Sequence, residues 1–219
     1  MPQFSVDTAN SLNSNFGTLC YKQVLGKEGY TANHVETLCG FIKTELLGRI
    51  PKGNFLDIGA GPAFIAREIG KYFDETLIIE PNSEYEPIYK QLGTSFRIAN
   101  FEGVHLHRKF DLALCSHVLY HVEPEQWETS LAKIYALLSP QGIGLIALIS
   151  PRGLFHELCC SINTSYSHSQ LATSKLRKLK IPFTIASAQC YYESSDLQVF
   201  RRLLSLFVID DCFTPQKYE

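Results

Sequence analysis

The segment 55–63 carries the residue types and spacing best suited to holding a bound ligand. A short apolar run reaches Asp57, passes through Gly59 and Gly61, and meets Pro62. Glycines let the backbone approach a ligand where a side chain would collide, and a helix that follows offers free N–H groups to polar ligand atoms. Pro62 suits the first helical position, because its φ is fixed and its missing N–H would be unpaired there. The segment therefore predicts a strand, a tight turn and a helix start that together form a nucleotide-type site.

The position that follows this turn separates two ligand classes. A dinucleotide-binding fingerprint needs a third glycine at position 64, where this chain has Phe64. The pattern is instead acid-x-Gly-x-Gly-x-Ala, ending at Ala63, with Asp57 where dinucleotide-binding proteins usually carry an apolar residue. It resembles the first motif of the class I methyltransferases that use S-adenosylmethionine (SAM). A nicotinamide-dependent oxidoreductase is thereby disfavoured, although it stays an alternative.

Further segments match that family in the expected order. The run 76–80 closes on Glu80, followed by Pro81, and in the family such an acid takes both ribose hydroxyls of SAM. A carboxylate suits two vicinal hydroxyls, since it accepts several hydrogen bonds. The run 95–101 resembles a third strand, where the resemblance implies that Asn100 meets the adenine amino group and that Phe101 packs on the adenine ring.

The segment 110–121 resembles the family's fourth motif, whose loop lines the methyl donor and the acceptor. In this sequence Ser116 and His117 stand at the cofactor side of that loop. We expect His117, Tyr120 and His121 to be the catalytic candidates. Tyr120 offers an aromatic wall, and His121 a group that holds or removes a proton near neutral pH. That His121 only caps or packs against the next helix stays open.

The resemblance extends from about position 55 to 150, where the run 140–149 matches the family's fifth strand. SAM is therefore the implied cofactor, with Asp57, Gly59, Ala60, Gly61, Glu80, Pro81, Asn100, Phe101, Ser116 and His117 as its predicted binding residues. The implied fold is α/β, a Rossmann-like class I methyltransferase sandwich with a mostly parallel central sheet and helices on both faces. The layout is also loosely similar to histamine-type small-molecule N-methyltransferases. Because Tyr120 and His121 suit an amine, imidazole or hydroxyl group, we expect methyl transfer to a nitrogen or oxygen atom of a small-molecule acceptor. A non-catalytic SAM-binding regulatory or assembly protein is the alternative.

Length and composition favour one domain and a small-molecule acceptor. The 219 residues suffice for a single α/β domain, which we expect over 31–219, preceded by an N-terminal segment 1–30. That segment either closes over the site as a lid or packs on the core. A net charge of -2 argues against a nucleic-acid partner held by phosphate contacts. Seven cysteines without metal-ligand spacing, and no apolar run of membrane-spanning length, favour a cytoplasmic protein without a membrane partner.

Periodicity predicts the elements that surround these motifs. Apolar spacing predicts a helix over 31–48 with Thr31 as N-cap, and one over 124–138 that buries Trp127. We also expect a helix over 169–180 with a basic, solvated outer side, and a sixth strand over 183–192. A last helix is predicted from Ser195. No segment after it suits the family's seventh strand, so the sheet lacks that strand or is completed differently.

Two histidines could in principle bind a metal, and one proline affects the helix after the second strand. His105 and His107 alternate in a polar loop without a carboxylate or cysteine partner of suitable spacing, so a solvated loop is favoured over a metal site. Pro87 predicts a late start or a kink in the helix that runs to about position 92.

Overall fold

The central sheet has five parallel strands in the order β4-β3-β2-β5-β6. The computed structural model describes residues 31–153, 156–157, 160–161 and 168–193. Every residue of β2 and β5 is buried except the first residue of β2 and the last residue of β5, as parallel strands covered on both faces require. The Rossmann-like α/β prediction is confirmed. The strands are β2 (Asn54–Ile58), β3 (Glu75–Glu80), β4 (Ser95–Ile98), β5 (Phe110–Ser116) and β6 (Leu138–Ala147).

Helices cover both faces of the sheet. Side chains alternate along a strand, so the neighbours Phe55 and Leu56 enter different apolar clusters. One cluster packs the sheet against α1, α2 and α3, and the other packs it against α4 and α5. Trp127 is 1% exposed in the second cluster, as predicted. The helices are α1 (His34–Phe41), continued by a π-helical turn (Ile42–Leu46), α2 (Phe64–Ile69), α3 (Glu86–Leu92), α4 (Trp127–Ala136) and α5 (His168–Lys178).

Two predictions at the margins of the described region are wrong. Thr31 does not cap a helix, because Thr31–Ala32 form β1, which pairs antiparallel with β7 (Tyr192–Glu193), and α1 begins at His34. The predicted sixth strand over 183–192 is absent from the central sheet, and 181–191 has no regular structure. Side chains there face water, with Ile185 67% exposed, so no buried surface holds the run in a strand.

The helix after the first glycine turn also starts later than predicted. Pro62 lies in the turn, and α2 begins at Phe64 after Ala63, which has a φ of 59°. Left-handed backbone at Ala63 cannot belong to a right-handed helix, so the turn extends two residues further. Pro87, in contrast, lies in the first turn of α3, as its fixed φ favours.

The basic helix α5 is held to the core. Its leucines pack on the second apolar cluster, as predicted. Its basic side is not wholly solvated, however, since Lys175 and Lys178 contact the same Oε1 atom of Glu128 on α4, at 2.9 and 2.8 Å. This ion pair lies between the two helices that cover one face of the sheet.

Some predictions fall on residues that the structure does not describe. The N-terminal segment 1–30 and the predicted helix from Ser195 lie outside the described residues, as does the region where a seventh strand was sought. Within the described ranges, no helix is both long and apolar enough to cross a bilayer.

Candidate active site

The predicted ligand-binding residues gather at one edge of the sheet. Because all five strands are parallel, their carboxyl ends meet there. Glu80 ends β3 at that edge, and the turns after β2, β4 and β5 bring Gly61, Asn100 and His117 to it. In open α/β sheets, ligands bind in the crevice beyond the carboxyl ends of the strands.

The two glycines of the turn after β2 serve different purposes. Both have left-handed backbone, with φ of 67° at Gly59 and 50° at Gly61. A Cβ added to Gly59 would lie 2.3 Å from Cγ2 of Val118, so this glycine makes room for the loop after β5. A Cβ added to Gly61 would meet no atom within 4 Å. Gly61 therefore borders open space that a ligand can fill, while Ala60 between them packs against the first apolar cluster.

Glu80, the last residue of β3, presents its carboxylate to this turn. Its Oε2 accepts a hydrogen bond from the Gly61 N–H at 3.0 Å, and its Oε1 accepts one from the Asn82 N–H at 2.9 Å. Burial raises the pKa of the Glu80 carboxyl, and the two N–H groups partly offset the shift. A carboxylate has about four lone-pair sites, so roughly two remain for ligand hydroxyls. Pro81 follows at the surface.

Asp57 is a second buried carboxyl at the same edge. Its side chain is 3% exposed, and burial followed by the negative charge of Glu80 raises its pKa to about 7. Burying a charged carboxylate is costly, so the position favours a proton or a cationic ligand group.

Tyr89 is a contact that the sequence analysis did not single out. Its hydroxyl donates a hydrogen bond to the Gly61 carbonyl at 2.6 Å, and its side chain is fully buried. In the sequence, Tyr89 is one member of the apolar side of α3, and such a member reads as core. Only the packing of α3 against the turn after β2 shows its polar contact.

The two predicted ligand contacts in the turn after β4, Asn100 and Phe101, differ in exposure. Asn100 is exposed, and its side chain makes no capping hydrogen bond, so it is accessible to a ligand. Phe101 is 6% exposed in the second apolar cluster, and Nζ of Lys133 lies 4.4 Å from its ring centroid. Stacking of an adenine ring on Phe101 stays a prediction, although little of its surface is open.

The loop after β5 is fixed to the chain near the end of β6. The His117 N–H donates to the Ala147 carbonyl at 3.0 Å, and His117 has a φ of 57°, which is uncommon outside glycine. The Tyr120 hydroxyl accepts a hydrogen bond from the Ile149 N–H at 2.6 Å. The rings of Tyr120 and His117 lie 5.7 Å apart. Tyr120 is 8% exposed, so its side chain holds this loop in place and leaves little surface to serve as an open aromatic wall.

Three histidines lie near this loop. Burial first, and then the neighbouring His34 and His121, lower the pKa of His117 to about 4. Burial also lowers the pKa of His34 to about 4. His34, the first residue of α1, was not identified from the sequence, because α1 and the loop are distant along the chain. Both of these imidazoles are therefore neutral at pH 7. The other two predicted residues of the loop differ in exposure, because Ser116, the last residue of β5, is half-buried and His121 is exposed.

Asp111 belongs to the opposite end of the sheet. Its Oδ2 accepts hydrogen bonds from the N–H groups of Gly53 and Asn54 at 3.0 and 2.9 Å. Its Oδ1 accepts one from the Ser139 hydroxyl at 2.6 Å. Asp111 thus ties together the amino ends of three strands, which is a structural role remote from the ligand edge.

The described residues contain no group of three or more His, Cys, Asp or Glu side chains that could hold a metal ion. His105 and His107 are both exposed. His105 contributes its backbone carbonyl to the Arg97 guanidinium at 3.2 Å, so its backbone has a local structural contact.

A family model described as a methyltransferase domain matches residues 31–198. A SAM-dependent methyltransferase from Clostridium acetobutylicum has 14% sequence identity and a TM-score of 0.53, over 65% of this chain and 58% of that chain. The N-methyltransferase NodS from Bradyrhizobium japonicum has 15% identity and a TM-score of 0.54, over 65% of this chain and 80% of that one. At these identities the likeness is one of fold. The chain thus spans less than two thirds of the Clostridium structure, and no curated protein matches it.

Proposed function

The chain belongs to the class I SAM-dependent methyltransferases, and from this premise we propose that it methylates a nitrogen or oxygen atom of a small-molecule acceptor. SAM, when bound, supplies a methyl group on a positively charged sulfur. The observation that carries the proposal is the buried Glu80 carboxylate facing the open space at Gly61. The residues at that edge fit such a ligand in charge and in hydrogen-bonding capacity.

Each carboxyl at the edge has a role suited to its surroundings. Glu80 is oriented by the Gly61 and Asn82 N–H groups, and its remaining lone pairs are available to ribose hydroxyls. Asp57 would accept the ligand's ammonium group, whose positive charge would offset the cost of burying the carboxylate. Asn100 is exposed at the next strand end, where its amide oxygen can accept from an adenine amino group.

The acceptor side is assigned to the loop after β5. His117 is neutral at pH 7, so a ring nitrogen can accept a hydrogen bond from an amine or hydroxyl and orient its lone pair. Tyr120 fixes the loop through Ile149, and His121 is exposed beside it as a candidate proton acceptor. Holding a nucleophile in line with the methyl group can supply most of the rate, so the loop's main task is orientation.

Two properties of the chain support the acceptor class and location. A formal charge of -2 provides little attraction for a polyanion, which favours a small molecule over a nucleic acid. The described cysteines Cys39, Cys115, Cys160 and Cys190 are free thiols, which supports a cytoplasmic location.

Calorimetric titration of the protein with SAM and with S-adenosylhomocysteine tests the cofactor assignment. We expect the wild type to bind both and Glu80→Ala to bind at least about 10-fold more weakly, because a charged acceptor of hydrogen bonds is lost. Glu84→Ala is the matched control, since Glu84 is an exposed acid just beyond the site. Absence of SAM binding by the wild type would overturn the proposal.

Transfer is then measured with SAM carrying a radioactive methyl group and a panel of amines, imidazoles, phenols and carboxylates. Labelling of a nitrogen or oxygen in the panel supports the proposed reaction. Tight SAM binding without any transfer would favour the non-catalytic alternative. Labelling of RNA or protein alone would replace the small-molecule assignment.

A further inference from the structure

We propose that Tyr89 is a positioning residue for the cofactor, whose hydroxyl holds the Gly61 peptide in the conformation that SAM binding requires. The inference rests on the proposed function, because it assigns the role through the same binding edge. Tyr89 lies on α3, nine positions after Glu80, so one strand and helix unit contacts the turn of the preceding unit twice.

Gly61 is held from both sides. Its N–H donates to Oε2 of Glu80 at 3.0 Å, and its carbonyl accepts from the Tyr89 hydroxyl at 2.6 Å. The N–H belongs to the peptide before Gly61 and the carbonyl to the peptide after it, so the two hydrogen bonds orient both peptide planes. The next residue, Pro62, has no N–H to contribute. Tyr89 is therefore the partner that fixes the second plane.

The orientation matters because Gly61 has left-handed backbone and borders open space. With a φ of 50° and no neighbouring atom within 4 Å of an added Cβ, its conformation is set by hydrogen bonds and not by packing. A glycine without such restraints samples several conformations, and selecting one on binding costs entropy. The Tyr89 hydroxyl removes part of that cost before the ligand arrives.

The surroundings of Tyr89 keep its hydroxyl protonated, so that it remains a hydrogen-bond donor. Its side chain is fully buried, and its ring lies 5.6 Å from that of Phe96 at an angle of 51°. Burial, helped by the charges of Glu80 and Asp57, raises the pKa of the Tyr89 hydroxyl. The group therefore stays protonated throughout the physiological range and keeps donating to Gly61.

Tyr89→Phe isolates the hydroxyl, because it retains the buried ring. Calorimetric titration with SAM and with S-adenosylhomocysteine is expected to show affinities about 3- to 10-fold weaker than the wild type, as loss of one hydrogen bond predicts. With an acceptor from the panel, KM for SAM should rise by the same factor, whereas kcat at saturating SAM and KM for the acceptor stay unchanged. A general structural defect would not produce that split.

Ile134→Val is the matched control, since Ile134 is buried in the second apolar cluster and its truncation lowers stability without touching the turn. An equal loss of SAM affinity in Ile134→Val would overturn the positioning role, as would affinity within 2-fold of the wild type in Tyr89→Phe.

Amide hydrogen exchange of the ligand-free protein separates this inference from the proposed function. Faster exchange at the Gly61 amide in Tyr89→Phe, with unchanged exchange across β2, supports the loss of peptide orientation. Unchanged exchange at Gly61 overturns it. Failure of the wild type to bind SAM would instead count against the proposed function.

Discussion

The turn after β2 needs a glycine at position 59 because Val118 packs against it, and the variants Gly59→Ala and Val118→Ala, alone and combined, test this. A Cβ at Gly59 would lie 2.3 Å from Cγ2 of Val118, far inside normal contact, and the φ of 67° is itself unfavourable for alanine. Because Gly59 has no side chain, Val118 of the loop after β5 can pack directly against the turn. The same change at Gly61 meets no atom within 4 Å.

The expected loss of stability has two parts. Left-handed backbone costs an alanine about 1–2 kcal/mol. Overpacking against Val118 adds about 1–3 kcal/mol. Gly59→Ala should thus lower the free energy of unfolding by about 2–5 kcal/mol, or Tm by roughly 5–15 °C for a chain of this length. Gly61→Ala should lose only the backbone part, while its methyl group enters the open space and weakens SAM binding.

Urea unfolding of the wild type, both single variants and the double variant measures the coupling. Val118→Ala removes the atoms that an added Cβ would strike, so the double variant should be about 1–3 kcal/mol more stable than the sum of the single effects predicts. Additive losses would refute the steric argument. Equal destabilisation by Gly59→Ala and Gly61→Ala would refute the distinction between the two glycines.

Three further predictions concern other parts of the sheet. The folded-state pKa of Asp57 is raised to about 7, so the native state retains a proton that the unfolded chain has lost and wild-type stability falls between about pH 4 and 7. Asp57→Asn should therefore gain stability over the wild type as pH rises, in urea unfolding of the ligand-free protein; a constant difference would contradict this. Gly142→Ala should cost about 1–3 kcal/mol, because its Cβ would lie 2.5 Å from a backbone carbonyl, whereas Gly103→Ala, with open space around it, should be close to neutral in thermal unfolding. Asp111→Asn should cost about 2–4 kcal/mol of stability without altering SAM affinity, because its hydrogen bonds join the opposite end of the sheet; weaker SAM binding in the folded variant would be inconsistent with that position.

The strand predictions succeeded where burial alone decides the structure. The runs that form β2, β3 and β5 each contain a buried apolar stretch, which parallel strands covered on both faces need. Glu80 is the last residue of its strand, and Gly59 and Gly61 follow another, as their positions in the sequence predicted. In parallel strands these ends must share an edge, so the sequence was sufficient to gather them.

Predictions failed where a distant segment decides the local structure. Thr31 has the side chain of a good N-cap, yet it lies in β1 because residues 192–193 pair with it. The run 183–192 has the composition of a strand, but the chain leaves it without a covering surface. Neither outcome is encoded in residue spacing, since the first depends on a pairing across about 160 positions and the second on whether another element covers the run.

The sequence by itself determined the buried runs, the glycine turn and the order of the motifs, because local composition and periodicity are sufficient for these features. The resemblance of those motifs to the class I methyltransferases implied the parallel sheet and the edge at which the ligand-binding residues meet. Only the tertiary structure decided that Gly59 receives Val118, that Tyr89 binds the Gly61 carbonyl, and that His34 neighbours His117. These contacts join segments whose relative position follows from the packing of helices on the sheet, which no spacing of residues along the chain records.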